Sequence, residues 1–264
     1  MKKQKVLISV LTFILLSIQI YSQADNSKKS DQEELEIILK KCAEYCEKLS
    51  NSVLDFVCME KITEILNPQR TTNTYTYDYQ MIRKNNQIRD RRILLEENGK
   101  KKHEEDALLK TKRYKHHNII FGPIGLLAEL WQSQYDYKII QRKRFKGDKV
   151  VVIEATPNDK MAASHPYGKV WVREGDFCIV KIEWDQRSLG NLDVLEYDAK
   201  RFNSTPEVKI YAEYAFEKNG IRFPSKYNIV ETYYQERVRY LTRSRINTTY
   251  KDYKFFTVES AVKY

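Results

Sequence analysis

The residues of this chain that could do chemistry lack the spacing that catalytic motifs require. The sequence contains no GxSxG, no HExxH, no phosphate-binding P-loop and no GxGxxG. His116 and His117 are adjacent, a spacing that does not aim two imidazoles at one metal ion, and both are predicted to lie on the solvated surface. A glycosidase needs two carboxylates facing one cleft, which a sequence alone neither shows nor excludes. We therefore expect no catalysis, cofactor or metal, with a secreted hydrolase as an alternative.

The four cysteines are the other reactive group. Cys42 and Cys46 stand one helical turn apart, which is a poor geometry for a mutual bridge. A bridge between Cys46 and Cys58 would tie a helix to the first strand, closing a short loop worth about 3 kcal/mol in the chain-entropy model. The sequence therefore predicts a Cys46–Cys58 disulfide in an oxidising compartment, with buried free thiols as the alternative. The sequence contains no CxxC pair, so a cysteine-based metal site is not favoured.

Positive charge is the strongest compositional bias. Lys and Arg number 46 against 36 Asp and Glu, a net charge of +10. The cations cluster at Arg142–Lys146 and at Arg237–Arg245, where tyrosine is interleaved. Such stripes can bind nucleic acid, dock on anionic lipid headgroups or simply form a solvated sheet face. Export argues against nucleic acid. A solvated sheet face is the favoured interpretation, with transient contact with an anionic membrane surface as the alternative.

Export is indicated by the first two dozen residues. Three lysines precede an apolar run over Val6–Ile20, and Ser22–Ala24 offers a small-x-small cleavage site. The apolar run is about 15 residues, short of the roughly 20 that a membrane-spanning helix needs. We expect a signal peptide over residues 1–24, cleaved near Ala24, with an uncleaved anchor as the alternative. The remaining residues, 25–264, are predicted to form one periplasmic or secreted domain.

Most of that domain has the pattern of β-strands. One amphipathic helix is predicted from Asp31 to about Asn51, and the period then changes. From Asp55 onward the chain gives ten or eleven segments of strand type, separated by turn signals such as Asn98-Gly99 and Asn219-Gly220. Leu189–Tyr197 is predicted to add a strand. This pattern favours a mainly β fold with one curved antiparallel sheet, an open half-barrel.

A second helical element interrupts the strands. Phe121 to Leu127 is apolar, contains two glycines and Pro123, and leads into a short helix to about Gln132. This segment is either a core-packing loop or the wall of a cavity. Because a half-barrel cannot fill its own concave face, the N-terminal helix and this segment are its predicted covers.

Two hairpins resemble motifs of a known family. Gly168–Val172, a four-residue turn and Phe177–Glu183 are similar to a "GxxWV…xxxIxKxE" hairpin, and Asn219–Tyr227 is similar to a later "dG…P…" hairpin. Both occur in the outer-membrane lipoprotein-sorting branch of the periplasmic lipoprotein-carrier (LolA/LolB-like) superfamily. The resemblance covers residues 135 to 258, and residues 31 to 130 match only in element order. It implies an open sheet around an apolar cavity that holds acyl chains beneath helical lids.

These observations predict a monomeric, non-catalytic carrier that binds acyl chains of a lipid or lipoprotein. A structural or partner-binding envelope protein, its concave face plugged by its own side chains, is the alternative. The candidate cavity residues come from the lid segment and the central hairpin. They are Phe121, Leu126, Leu127, Trp131, Trp171 and Trp184.

Overall fold

The computed structural model describes residues 31–51, 55–67, 70–84, 87–117, 119–158, 165–188, 192–201, 203–235 and 241–256. The predicted signal peptide and its cleavage site lie outside these residues. The chain divides into two compact units, Met1–Lys41 and Cys42–Tyr264. None of the helices in the described ranges is long and apolar enough to cross a membrane.

Strands account for most of the described chain. They are β1 (Asp55–Leu66), β2 (Thr71–Lys84), β3 (Gln87–Glu97), β4 (Lys100–Glu104), β5 (Tyr135–Phe145), β6 (Asp148–Pro157), β7 (Gly168–Arg173), β8 (Ile179–Trp184), β9 (Thr205–Glu213), β10 (Phe216–Lys218), β11 (Ile221–Phe223), β12 (Lys226–Tyr234) and β13 (Leu241–Phe256).

Eleven of these strands form one open sheet. Its order is β4-β3-β2-β1-β13-β12-β9-β8-β7-β6-β5, and β10 pairs with β11 in a separate hairpin. Every neighbouring pair in the large sheet is antiparallel. The edge strands β4 and β5 do not pair with each other, so the sheet does not close into a barrel. The predicted mainly β, open antiparallel fold of ten or eleven strands is confirmed.

One face of this sheet is covered, and strand register identifies it. Directly opposed residues of neighbouring strands point to the same side. One such row crosses eight strands and is buried throughout, and we call the side to which it points the covered face. The row consists of Tyr75, Ile62, Thr248, Tyr227, Ala212, Ile182, Val170 and Ile153.

Strand β1 shows how sequence alternation builds the covered face. Phe56, Cys58 and Ile62 are buried on this side, as their period-2 spacing predicts. Glu60 and Glu64 share the same alternation and are fully buried. Buried carboxylates require hydrogen-bonded or charged partners, so other parts of the chain must supply them.

The described ranges contain four α-helices. Residues 31–51 form α1, as predicted, followed by α2 (Gly122–Leu127), α3 (Glu129–Gln132) and α4 (Leu192–Arg201). Single 3₁₀ turns occupy Ile119–Phe121 and Gln186–Ser188.

The strand predicted over Leu189–Tyr197 is wrong, because α4 begins at Leu192. The buried residues of α4 are Leu195, Asp198 and Ala199, which have i, i+3, i+4 spacing. Asp193 lies in its first turn and Lys200 in its last, where each charge favours the helix dipole.

Within the larger unit, the end of α1 packs on α2 and on the β10–β11 hairpin. Cys46 Sγ donates to the carbonyl oxygen of Pro123 at 3.6 Å, and the amide of Arg222 donates to Tyr45 Oη at 3.1 Å. The hairpin packs in turn on β13 through aromatic rings, with Phe216 stacked on Tyr253 at a centroid distance of 5.0 Å.

The predicted Cys46–Cys58 disulfide is not formed, since all four cysteines are buried free thiols. The two side chains lie in different surroundings. Cys46 faces α2, and burial raises the pKa of its thiol to about 12. Cys58 lies on β1 opposite Tyr79, and burial raises the pKa of its thiol well above the usual value. The helix therefore does not present Cys46 to the strand that carries Cys58.

Candidate functional site

A cavity of about 380 Å³ lies between the covered face and the segment that contains α2. Apolar and aromatic side chains dominate its walls, with Ile210, Trp184 and Tyr227 from the sheet and Ile119 and Phe121 from the 3₁₀ turn. Its remaining lining consists of Lys115, His116, His117, Gly122, Gly125, His165 and Pro166. The volume falls in the range of about 300–1,000 Å³ that is usual for small-ligand sites.

Two glycines allow α2 to approach the sheet closely. A Cβ atom on Gly122 would lie 2.8 Å from Tyr214 Oη and 3.0 Å from Trp184 Cζ2. A Cβ atom on Gly125 would lie 2.9 Å from the His165 side chain. Any larger residue at these positions would push α2 away, so the Phe-Gly-Pro-Ile-Gly sequence sets the width of the cavity.

Hydrogen bonds from two tyrosines, one buried and one half-buried, fix the same segment over the sheet. Tyr214 Oη donates to the carbonyl oxygen of Ile119 at 2.8 Å, and Tyr137 Oη donates to that of Leu126. Pro123 occupies the first turn of α2, as its sequence position predicts. The cavity wall is thus a short helix held at both ends.

Two of the six predicted cavity residues, Phe121 and Trp184, line this cavity. Leu126 and Leu127 are fully buried in α2 and are not part of the lining. Trp131 lies outside the lining, but its ring contacts the His165 ring at a centroid distance of 4.4 Å.

Trp171 lies on the other side of the sheet from Trp184. It is directly opposite Lys181 in the β7–β8 pair, so these two side chains share a face. Lys181 and Trp184 are three residues apart in β8 and therefore point to opposite faces. The ammonium groups of Lys181 and Lys143 lie 4.2 and 5.2 Å from the Trp171 ring centroid. The structure does not bring Trp171 together with the cavity residues.

A buried ionic cluster lies beside the cavity, and His116 belongs to both. Arg92 Nε donates to Glu60 Oε2 at 2.6 Å. His116 Nε2 lies 2.8 Å from Glu60 Oε1 and 3.1 Å from Tyr250 Oη. Burial alone would raise the pKa of Glu60, but the hydrogen bonds and charges of His116 and Arg92 lower it to about 2. The prediction that His116 is solvated is therefore wrong.

Residues Ala107–His117, which we call the strap, lie along the carboxylate-bearing part of the covered face. The strap has no regular secondary structure. The main-chain amides of Lys112 and Arg113 in the strap donate to Glu64 Oε1 at 2.8 and 3.1 Å. The amide of Lys110 donates to Tyr77 Oη at 3.1 Å. Side chains of the sheet thus accept hydrogen bonds from main-chain amides of the strap as well as from the strap's side chains.

Arg113 provides the strongest side-chain attachment of the strap. Its guanidinium donates from Nε to Glu231 Oε2 at 2.8 Å and from a terminal nitrogen to Glu231 Oε1 at 2.6 Å. This bidentate geometry favours a strong pair. Asp198 of α4 accepts from Arg113 at 3.1 Å and from Arg243 at 2.6 Å. Burial would raise the pKa of Glu231, but Arg113, Ser244 and Tyr233 lower it.

A second cavity, of about 340 Å³, has a different character. Its lining is dominated by charged side chains, namely Glu154, Lys169, Glu183, Asp185, Arg187, Glu207 and Lys209. Glu183 and Lys169 are directly opposed and share the face of Trp171, away from the covered face. Within the described ranges, no group of three or more His, Cys, Asp or Glu residues could hold a metal ion.

The sequence signal for the buried cluster was the alternation in β1. Glu60 and Glu64 occupy the same strand face as Phe56, Cys58 and Ile62, which requires the carboxylates to be buried if the face is covered. Their partners Arg92, Arg113 and His116 lie far away in sequence, so no local pattern identifies them.

Comparison with solved structures returns matches of low identity. A LolA superfamily protein from Nitrosomonas europaea is 13% identical, covers 84% of this chain and 96% of its own, and has a TM-score of 0.38. A domain described as an outer membrane lipoprotein-sorting protein, from Vibrio parahaemolyticus, is 12% identical over 85% and 93% of the chains, with a TM-score of 0.40. A DUF1329 family protein from Desulfovibrio piger is 10% identical over 86% and 94%, with a TM-score of 0.41.

The first of these matches names the superfamily that the two hairpins resemble. No protein-family model and no curated protein matches the chain. At these identities and TM-scores, nothing about fold, ligand or activity is taken from the likeness.

Proposed function

We propose that this protein binds an acyl chain of a lipid or lipoprotein in the cavity on its covered face and carries it without catalysis. The observation that carries this proposal is the cavity itself, where Phe121 and Ile119 face Trp184 and Ile210 across about 380 Å³. Burying a methylene group in such a site is worth about 0.8 kcal/mol. About a dozen buried methylenes would together contribute about 10 kcal/mol, from which the costs of association are deducted.

Exchange with a membrane is the second part of the proposal. Without the three leader lysines, residues 25–264 carry 43 Lys and Arg against 36 Asp and Glu, a net charge of +7, which attracts anionic headgroups. Each Lys or Arg near an anionic surface contributes about 1 kcal/mol. A basic surface therefore supports transient docking, and we place the protein in the periplasm on the basis of its predicted leader.

A partner-binding role is the second candidate, and the strap favours it. The strap fills part of the covered face with groups of the protein itself, through Glu64, Glu231 and Glu60. A hydrolase of the covalent type with a Ser, Thr or Cys nucleophile would need that residue next to the His116–Glu60 pair. The described cavity lining contains no Ser, Thr or Cys, so the geometry gives this alternative no support.

Tryptophan fluorescence tests the proposal, because the chain offers a matched pair of residues. Titration with palmitate is expected to change the emission saturably in wild type and in Trp171→Phe, whose ring lies on the opposite face. Trp184→Phe should lose most of that change, since Trp184 lines the cavity. The absence of a saturable change in wild type, or an undiminished change in Trp184→Phe, would refute the assignment.

A further inference from the structure

The strap divides the covered face into two parts of opposite character. One part carries the fully buried carboxylates Glu60, Glu64 and Glu231. The other part carries Ile210 and Trp184 and borders the cavity. Strand register shows that both parts belong to one surface. Across five neighbouring strands, each member of one row lies directly opposite the next. The row consists of Glu64, Ile246, Ile229, Ile210 and Trp184.

The part beneath the strap is unsuited to hydrocarbon. Removing the strap would leave Glu231 without Arg113, Glu60 without His116 and Glu64 without its two amide donors. A buried carboxylate that loses a charged partner or its amide donors is strongly destabilised, and a hydrocarbon chain offers it no hydrogen bond in their place. The strap is therefore the occupant that this chemistry requires, and a lipid chain cannot replace it.

The space that remains is small. At about 30 Å³ for a group the size of a water molecule or a methylene, 380 Å³ holds roughly a dozen such groups. Three chains of about 16 carbons would need on the order of 1,400 Å³ by the same rule. The cavity volume is therefore enough for most of one acyl chain, but for only a small part of three chains.

We infer that the site accepts one acyl chain at a time and excludes molecules that must bury two or three chains together. This inference rests on the proposed function and specifies its substrate class, which is a single-chain lipid or a mono-acylated peptide. Glu60, Glu64 and Glu231 set this specificity, because they hold the strap across the part of the face that additional chains would need.

Competition between two lipopeptides tests the inference on the unmodified protein. The probes are one peptide carrying a single palmitoyl chain and the same peptide with a triacylated N-terminal cysteine, both measured by calorimetry below their critical micelle concentrations. The mono-acyl peptide is expected to bind at least tenfold more tightly. Affinities within threefold of each other would overturn the inference while leaving acyl binding intact. Failure of both peptides to bind would instead refute the proposed function.

Native mass spectrometry provides an independent count. With excess palmitate, the protein is expected to saturate at one bound chain. Saturation at two or three chains would show that the covered face opens beyond the cavity and would overturn the inference. Tighter binding of the triacyl peptide would do the same.

Discussion

Replacing Glu60 by alanine is expected to lower the free energy of unfolding by about 3–5 kcal/mol. The carboxylate is fully buried and pairs with Arg92, whose side chain is only 6% exposed. Its removal leaves the Arg92 guanidinium and the His116 imidazole in a low-dielectric environment without their acceptor. Urea-induced unfolding followed by circular dichroism measures the change.

The matched control for this substitution is Glu105→Ala. Glu105 also pairs with an arginine, Arg91, at 2.7 Å, but its side chain is 61% exposed. Exposed pairs of this kind contribute at most about 1 kcal/mol. Similar losses in the two variants would mean that the Glu60 cluster does not stabilise the fold as its burial indicates.

Replacing Ile119 by tryptophan is expected to weaken palmitate binding at least about tenfold, a change of about 1.4 kcal/mol. Ile119 is half-buried in the 3₁₀ turn before α2 and lines the cavity. An indole at this position would project into the space that the acyl chain needs. Its backbone carbonyl would still accept the hydrogen bond from Tyr214. Calorimetric titration measures the loss.

Ile140→Trp provides the same change of side chain away from the cavity. Ile140 lies on edge strand β5 and is 39% exposed. This variant should bind palmitate as wild type does. Unchanged affinity in Ile119→Trp, with its fold confirmed by circular dichroism, would contradict the placement of the acyl chain between the 3₁₀ turn and the sheet.

The strands and their faces could be predicted because their signals are local. Period-2 alternation in β1 and in the tyrosines of β2 shows which side chains are buried, and turn residues such as Asn98-Gly99 mark where hairpins reverse. Local sequence patterns also predicted the helix over residues 31–51 and the position of Pro123 in the first turn of α2. Each of these features is determined by residues that are close together in the sequence.

The ionic cluster and the strap could not be predicted in the same way. Whether Glu60 is buried in pairs or exposed depends on Arg92 and His116, 32 and 56 residues away. The strap contacts the sheet through main-chain amides, which any sequence possesses. Adjacent histidines near charged residues are typical of surfaces, and only the three-dimensional contacts distinguish buried His116 from exposed His117.

The six candidate cavity residues were chosen from the sequence, and the structure places them in different parts of the molecule. The apolar, glycine-containing sequence of Phe121–Gln132 left a core-packing loop and a cavity wall as alternatives; the structure places Phe121 in the cavity lining and buries Leu126 and Leu127 in the core. Trp171 was assigned to the same cavity, but its register opposite Lys181 puts it on the other face. Strand register depends on pairing across the hairpin, where a bulge shifts β7 against β8 between Trp171 and Val172.

Photolabelling with a palmitate analogue that carries a terminal diazirine tests the central claim most directly, because it reports where the acyl chain lies. After irradiation and peptide mapping, we expect labels on the peptides that contain Ile119 and Phe121 and on those that contain Trp184 or Ile210. Competition with unlabelled palmitate should remove them. Competable labelling confined to the aromatic cluster of Phe216 and Tyr253, or to the face of Trp171, would contradict the account.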